Sequence, residues 1–162
     1  MFRHPVFPAI ENVLFLSCEK KYLSVMYFHS RTFNDTVRWG RKFGESLQGG
    51  EVVLLVGPLG SGKTAFTKGI ALGLGIEELV TSPSFSIMNV YEGKIKLYHF
   101  DFYRLDDPVE MEDLLRDYIY SRDMVSVIEW GERLKDRLCD FIMIRFEIQN
   151  DSRSIMIQRN GS

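Results

Sequence analysis

The clearest hydrophobic pattern along the chain is a short, continuous apolar segment, Val52–Val56, with glycines close to both ends. Such a run is typical of a strand that is buried on both faces of a parallel sheet. The apolar positions of residues 65–74 instead repeat as they do on a helix that packs against a sheet, and Gly75 provides a C-terminal stop. The pattern therefore predicts a strand, a glycine-rich loop and a helix in direct succession.

Two further helices are predicted. The apolar face of the first repeats at four-residue spacing, at Trp39, Phe43 and Leu47. Asn34 or Asp35 is expected to cap its first turn, because either side chain can accept a hydrogen bond from a free backbone N–H group, and the glycines at 49–50 are expected to end it. The other helix is predicted from Asp107, as N-cap, to about Tyr118.

Further strands are predicted by alternation or by continuous apolar runs, at residues 22–28, 95–101 and 124–128, with an edge hairpin at 142–148 and 155–158. The first of these runs follows a segment, residues 1–21, that the pattern describes poorly. Strands alternating with helices favour an α/β fold with a parallel sheet. Asp101 and Glu129 each close a predicted strand, so both are expected at the carboxyl edge of that sheet.

Composition narrows the class of protein. With 162 residues, of which 45% are hydrophobic, the chain has the size and apolar content of one folded domain. A net charge of −2 gives no basic face for strong unaided binding to nucleic acid. Cys18 and Cys139 are too few for a disulfide framework, and no apolar run reaches the length of a membrane span. We therefore expect a cytoplasmic protein without a membrane anchor.

Residues 57–64, Gly-Pro-Leu-Gly-Ser-Gly-Lys-Thr, match the phosphate-binding pattern G-x-x-x-x-G-K-[ST] at every fixed position. Glycines let successive N–H groups point at phosphate oxygens, and the following helix adds the positive end of its dipole. Lys63 is expected to contact the β and γ phosphates, and the Thr64 hydroxyl to ligate Mg²⁺. The predicted nucleotide-binding residues of this segment are Pro58, Leu59, Gly60, Ser61, Gly62, Lys63, Thr64 and Ala65.

Phosphoryl transfer also needs carboxylates that hold the metal and orient water, and Asp101 and Glu129 are the candidates. Each could instead be an ordinary solvated residue at the end of a strand. Residues 81–85 form a polar loop where a segment that senses the γ phosphate would fall. His99 is either a polar group that supports Asp101 or a structural histidine, and Trp130 is either a core aromatic or a platform near the nucleotide.

These residues leave three interpretations of the function open. The absence of an Asn-Lys-x-Asp motif, which reads guanine, favours ATP over GTP. Hydrolysis of ATP is the leading hypothesis. A small P-loop kinase acting on a metabolite is the main alternative, although the chain offers little from which to build an arginine-bearing lid. A binding module in which ATP controls docking is the third.

The motifs together resemble those of the TsaE (YjeE) family. The resemblance rests on four segments in order: 57–64, Thr81-Ser82-Pro83, His-Phe-Asp-Phe-Tyr-Arg at 99–104, and Ile128-Glu129-Trp130. It implies a P-loop NTPase-type three-layer sandwich, with a four-stranded parallel core flanked by antiparallel strands. It also implies an ATPase that acts with the TsaB and TsaD proteins to make threonylcarbamoyladenosine beside the anticodon of tRNA, with tRNA contacted only through the complex.

The same resemblance implies roles for individual residues. By position, Lys63 and Thr64 match the family's phosphate and magnesium residues, and Asp101 and Glu129 match its two carboxylates. Lys63, Asp101 and Glu129 are therefore the predicted catalytic residues, and Thr64, Asp101 and Glu129 the predicted metal ligands, while which carboxylate ligates Mg²⁺ and which orients water stays open. Thr36 and Trp130 match residues expected near the nucleotide.

The chain also departs from the family pattern. Phe102 replaces a usual leucine, and a glycine common in the family between positions 112 and 117 is missing. Residues 26–162 are assigned to one ATPase domain. Residues 1–25 lie outside the resemblance, so either translation starts at Met26 or the extension is peculiar to this protein.

Overall fold

The computed structural model describes residues 13–18 and 21–160 of the chain. Within them, strands and helices follow one another as β1 (Val13–Cys18), β2 (Lys21–Ser30), α1 (Phe33–Glu45), β3 (Val52–Val56), α2 (Lys63–Gly73), β4 (Met88–Tyr91), β5 (Lys96–Asp101), α3 (Pro108–Leu115), β6 (Met124–Glu129), a 3-10 helix η1 (Gly131–Leu134), β7 (Phe141–Gln149) and β8 (Ser152–Asn160). None of the helices in these two ranges combines the length and the apolar character needed to cross a bilayer.

All eight strands belong to one sheet, in the order β1-β2-β8-β7-β3-β6-β5-β4. Its centre is parallel, because β3 pairs in parallel with both β7 and β6, and β6 pairs in parallel with β5. The flanking strands β8, β2, β1 and β4 are antiparallel to their neighbours. The predicted α/β fold is confirmed, including the four-stranded parallel core with antiparallel strands on both sides.

The position predicted for the C-terminal hairpin is wrong. The strands β7 and β8 do pair antiparallel, but β7 also pairs with β3 and β8 also pairs with β2, so the hairpin lies inside the sheet. Alternation of apolar and polar side chains reports which face of a strand is buried and says nothing about lateral neighbours. The edge was assigned without knowing that β2 would cover β8.

Helices cover both faces of the sheet and give two separate hydrophobic layers. One layer packs beneath α1 and α2 and includes Phe43, Phe66 and Ile70 from the helices and Met26, Phe28, Ile155 and Ile157 from β2 and β8. The other packs beneath α3 and η1 and includes Met111, Leu115 and Leu134. The parallel strand β3 contributes alternate side chains to each layer and is buried along its whole length. This arrangement confirms the three-layer sandwich.

The start of α1 differs from the prediction. Its N-cap is Thr32, whose side chain accepts a hydrogen bond from the N–H of Asp35, rather than Asn34 or Asp35 itself. Asp35 occupies the third helical position, and its carboxylate accepts a hydrogen bond from the backbone N–H of Thr32, which completes a capping box. The helix ends at Glu45, with Ser46 as C-cap, before the glycines at 49–50. Asp35 was identified as part of the cap but was given the wrong place in it.

Other boundaries shift by a few residues. Asp107 caps α3 as predicted, but the helix ends at Leu115 rather than near Tyr118. The turn that follows uses Tyr120, at φ 63°, in the left-handed region that usually favours glycine. At the other end of the chain, the boundary proposed at Met26 falls inside β2, and residues 1–12 and 19–20 of the proposed extension lie outside the described residues.

Close contact between α1 and α2 fixes the N-terminus of α2, where the phosphate-loop motif meets the helix. Four glycines form the contact, two on each helix at four-residue spacing: Gly40, Gly44, Gly69 and Gly73. A Cβ atom added at Gly69 would lie 2.2 Å from the Val37 carbonyl oxygen. Because the missing side chains allow the two backbones to touch, α1 presents its first turn beside the glycine-rich loop.

Candidate functional site

The glycine-rich loop connects the carboxyl end of β3 to the first turn of α2. Gly60 and Gly62 have φ angles of 75° and 104°, a region that L-residues rarely enter. Gly62 is the N-cap of α2 and has no side chain to cap the free N–H groups of that turn. Those N–H groups and the positive end of the helix dipole therefore face the loop, as an anion-binding site requires.

The Lys63 side chain is folded into this loop. Its Nζ donates hydrogen bonds to the carbonyl oxygens of Gly57 at 2.8 Å and Pro58 at 2.9 Å, and lies 4.0 Å from the centre of the Trp130 ring. Burial lowers the pKa of the Lys63 ammonium below its ordinary value of 10.5, while the negative charges of Glu129, Asp101 and Glu132 oppose that shift. An anion in the loop would stabilise the charged form.

Glu129 lies at the end of β6 and reaches the first turn of α2. Its Oε1 accepts a hydrogen bond from Thr64 Oγ1 at 2.9 Å and lies 2.9 Å from His99 Nε2. Both carboxylate and imidazole are buried, with 3% and 0% of their surfaces exposed. The structure therefore brings the predicted strand-end carboxylate into direct contact with the threonine of the phosphate loop, and the reading as a solvated carboxylate does not fit it.

Asp101 faces the same space from the neighbouring strand, because Asp101 and Glu129 are register partners on β5 and β6. Its Oδ2 accepts hydrogen bonds from the hydroxyls of Ser82 at 2.7 Å and Ser84 at 2.9 Å, and its Oδ1 accepts one from the backbone N–H of Tyr103 at 3.0 Å. The polar loop at 81–85 therefore lies on the carboxylate, so that a movement of this loop would be felt directly at Asp101.

Thr36 reaches the site from the first turns of α1. It is 1% exposed, and its Oγ1 lies 2.6 Å from the hydroxyl of Ser30 at the end of β2. Its Cγ2 would lie 3.3 Å from a Cβ atom added at Gly62, so the threonine packs directly against the glycine-rich loop. The structure thus places Thr36 beside the loop, and its closeness to a bound nucleotide stays a prediction.

Trp130 follows Glu129 and has a φ of 62°, which turns the chain abruptly from β6 into η1. Non-glycine residues in this conformation are uncommon and concentrate at functional sites, where the surrounding structure holds them. The ring lies over Lys63 and packs on Tyr103 at 5.0 Å between ring centres. The ring is also partly buried against the hydrophobic layer beneath α3 and η1, so it lies both at the loop and against the core, and its role as a platform for the nucleotide stays a prediction.

These residues enclose a cavity of about 520 Å³. Of the sequence-predicted residues, it is lined by Thr36, Leu59, Gly60, Gly62, Lys63, Thr64, Ala65, Asp101, Glu129 and Trp130. Pro58 and Ser61 do not line it. The Ser61 hydroxyl is buried and has no hydrogen-bond partner in the described part of the chain.

The cavity also contains residues that the sequence analysis did not place in a site, namely Phe33, Tyr103, Arg104 and Arg153. Tyr103 and Arg104 belong to the six-residue segment at 99–104, so their closeness to Asp101 was a usable signal. Arg153 comes from β8, and its guanidinium approaches the Gly60 carbonyl oxygen at 3.5 Å. Its presence depends on the position of β8 next to β2, which no local pattern reveals.

The donor set suits a nucleotide with Mg²⁺. The loop offers N–H groups and one ammonium for phosphates, while Thr64, Asp101 and Glu129 offer the oxygen atoms that Mg²⁺ prefers. The described residues contain no cluster of three or more His, Cys, Asp and Glu side chains able to hold a metal ion alone. A cation at this edge would therefore need oxygen atoms from phosphate and water, which is the usual mode for Mg²⁺.

Comparisons with known proteins identify relatives of this chain. The protein named tRNA threonylcarbamoyladenosine biosynthesis protein TsaE from Treponema pallidum is 47% identical over 113 residues, which cover 69% of this chain and 83% of that protein. The protein of the same name from Haemophilus influenzae is 38% identical over 128 residues, covering 74% and 80%. A crystal structure of Bacillus subtilis YdiB superposes with a TM-score of 0.73 at 28% identity, covering 88% of this chain and 90% of that one.

A family model extends the similarity over most of the chain. The model described as Threonylcarbamoyl adenosine biosynthesis protein TsaE matches residues 30–159, from the end of β2 to the end of β8. This range includes every residue that lines the cavity. The chain therefore belongs to the TsaE family.

Proposed function

We propose that this protein binds ATP with Mg²⁺ at the glycine-rich loop and hydrolyses it, and that hydrolysis supports threonylcarbamoyl modification of tRNA together with the TsaB and TsaD proteins. The observation that carries the proposal is the contact between Thr64 and Glu129, 2.9 Å long, inside a cavity that also holds Lys63 and Asp101. An anion-binding loop, a hydroxyl ligand and two carboxylates together make up the groups that phosphoryl transfer to water requires.

The residues of the loop would bind and orient the triphosphate. Backbone N–H groups at the start of α2 would donate to the phosphate oxygens, and Lys63 would exchange its carbonyl partners, Gly57 and Pro58, for the β and γ phosphates. Thr64, Asp101 and Glu129 would hold Mg²⁺, which neutralises charge on the phosphates during the reaction. The hydrogen bonds from Ser82 and Ser84 would keep Asp101 turned toward the cavity.

In the hydrolysis step, the oxygen of a water molecule forms a bond to the γ phosphorus as the bond to the β–γ bridging oxygen breaks. Both protons of the water end on the released phosphate, as H₂PO₄⁻, and ADP keeps the electron pair of the broken bond. A carboxylate that accepts a hydrogen bond from this water aligns it for attack, and Glu129 or Asp101 would serve. The buried setting of Glu129 strengthens such an interaction, because water competes poorly there.

Membership of the family supports the role in tRNA modification. The charge of the chain and the exposed side chains around the cavity support the requirement for partners. The net charge of −2 provides no general attraction for tRNA, so we propose that tRNA is reached through the complex. The cavity is partly open to solvent, with exposed Leu59 and Tyr103 in its lining, and exposed Phe85 packs on Arg104, which also lines it. A partner that covers these side chains would shield the phosphates from bulk water and order the groups around them, so we expect slow hydrolysis alone and faster hydrolysis with TsaB and TsaD.

Hydrolysis of γ-labelled ATP by the purified protein tests the proposal, with and without the partners. Glu129→Gln is expected to reduce the rate by about 10²-fold or more, the usual contribution of a group that handles the attacking water. Glu147→Gln is the matched control, because Glu147 is exposed on β7. A rate unaffected by Glu129→Gln would contradict the assigned site, and a rate unaffected by TsaB and TsaD would contradict activation by partners. Label transferred to an acceptor other than water would instead favour a kinase.

A further inference from the structure

We propose that His99 is a positioning residue that holds the Glu129 carboxylate in its working orientation. His99 belongs to β5, and its side chain is completely buried, with 0% exposure. Its Nε2 lies 2.9 Å from Glu129 Oε1. The inference rests on the proposed hydrolysis and adds a residue to which the sequence assigned no definite role.

The contacts of Glu129 identify which nitrogen of His99 carries the hydrogen. A carboxylate oxygen accepts hydrogen bonds, and Oε1 already accepts one from Thr64. His99 Nε2 must therefore be the donor in the second contact. The other ring nitrogen, Nδ1, is buried and has no partner in the described part of the chain. Among the residues that the structure describes, the imidazole thus has a single polar contact, and that contact is with Glu129.

The His99 side chain lies among apolar residues, where burying a polar group costs free energy unless the group is hydrogen-bonded. On the same face of the sheet, Leu97 lies two residues earlier on β5 and Val127 is the register partner on β6, and both are completely buried. An apolar side chain at this position would continue that layer without leaving a polar atom unpaired. A buried imidazole is stabilised here only by its hydrogen bond to the carboxylate.

Two donors on one oxygen also determine the direction of the carboxylate. Thr64 comes from α2 and His99 from β5, so Oε1 is held between the helix and the sheet. Oε2 makes no hydrogen bond to any residue that the structure describes, and Glu129 lines the cavity. Oε2 is therefore the oxygen available to a cation or to water. If Thr64 turned to a metal ion, the His99 contact alone would keep Glu129 from rotating.

Two variants separate positioning from packing. His99→Gln keeps an N–H donor that can reach Glu129, whereas His99→Leu fills a similar volume without one. We expect His99→Leu to lower kcat for ATP by about tenfold or more, the usual effect of removing the group that orients a metal-binding or catalytic side chain. The affinity for ADP without Mg²⁺ is expected to stay unchanged, and His99→Gln to recover most of kcat. His29→Leu, at an exposed position on β2, is the control.

The double variant His99→Leu, Glu129→Gln tests whether His99 acts through Glu129. The leucine is expected to cause no further loss in that background. A full additional loss, or a wild-type kcat in His99→Leu alone, would overturn the proposal.

Nitrogen NMR of the full-length wild-type protein gives a test that does not depend on turnover or on a variant that folds. It should show His99 with its hydrogen on Nε2. A hydrogen on Nδ1 instead would overturn the inference. Failure of the wild-type protein to bind or hydrolyse ATP would refute the proposed function, whereas a wrong tautomer or a normal His99→Leu rate would refute only the role of His99.

Discussion

Replacing Gly69 with alanine tests the close backbone contact that positions the first turn of α1 beside the glycine-rich loop. A Cβ atom at this position would lie 2.2 Å from the Val37 carbonyl oxygen and 2.7 Å from both the Arg41 nitrogen and the Gly40 Cα. All three neighbours are backbone atoms of α1, so no side chain can rotate away. The two helices must separate by about 1 Å to restore an ordinary contact.

The expected effect is the difference between two opposing contributions. Overpacking of this kind costs roughly 1–3 kcal/mol, and the upper end applies because backbone cannot yield. Alanine favours the helix over glycine by about 1 kcal/mol. The free energy of unfolding should therefore fall by about 2 kcal/mol, which corresponds to a decrease in Tm of about 4–8 °C for a chain of this size.

Urea unfolding of Gly69→Ala, followed by circular dichroism, measures the change at constant m-value. Asn34→Ala, at an exposed position in the first turn of α1, is the control for helix propensity without a clash and should change stability by less than about 0.5 kcal/mol. If Gly69→Ala were as stable as the wild type or more stable, the helix propensity would have prevailed and the backbone contact between α1 and α2 would be refuted.

Three further predictions concern the cap, the Asp101 contacts and Lys63. Thr32→Ala removes the capping box of α1 and should cost about 1 kcal/mol in urea unfolding; unchanged stability would argue against the cap. Replacing both Ser82 and Ser84 with alanine removes two of the three donors to Asp101, so kcat for ATP should fall about tenfold while nucleotide affinity is retained, and a normal kcat would contradict this role. Burial lowers the pKa of Lys63 in the folded protein below the ordinary 10.5 of the unfolded chain, so between these two pKa values the unfolded state binds more protons. In that pH range the free energy of unfolding of the wild type should therefore rise with pH relative to that of Lys63→Met. A fall would contradict the buried setting of Lys63.

The sequence predicted the central strands and the P-loop helix well, because the patterns that specify them are local. A continuous apolar run such as Val52–Val56 has few alternatives to a strand buried on both faces. Strand ends were equally informative, since Asp101 and Glu129 were expected at one edge of the sheet and are register partners there. The local pattern could not give the order of the strands within the sheet. The C-terminal hairpin was therefore assigned to an edge of the sheet, although β2 pairs with its outer strand, β8.

The candidate site shows the same division between local and distant information. The segment from Gly57 to Thr64 carries its own geometry, because glycines with positive φ and the following helix N-terminus shape the loop. Arg153 and Phe33 reach the cavity from β8 and from the start of α1, so their presence depends on tertiary packing. His99 could not be interpreted from sequence, because a buried histidine is a structural residue or a positioning residue according to its partner alone.

Calorimetric titration of the folded protein with Mg²⁺ and a non-hydrolysable ATP analogue tests most directly whether the loop binds a triphosphate. We expect saturable binding of one nucleotide per chain, with loss of most of the affinity in Lys63→Ala, which removes the ammonium now bonded to the Gly57 and Pro58 carbonyls. Absence of any binding heat from the wild-type protein, or equal affinity in Lys63→Ala, would contradict it.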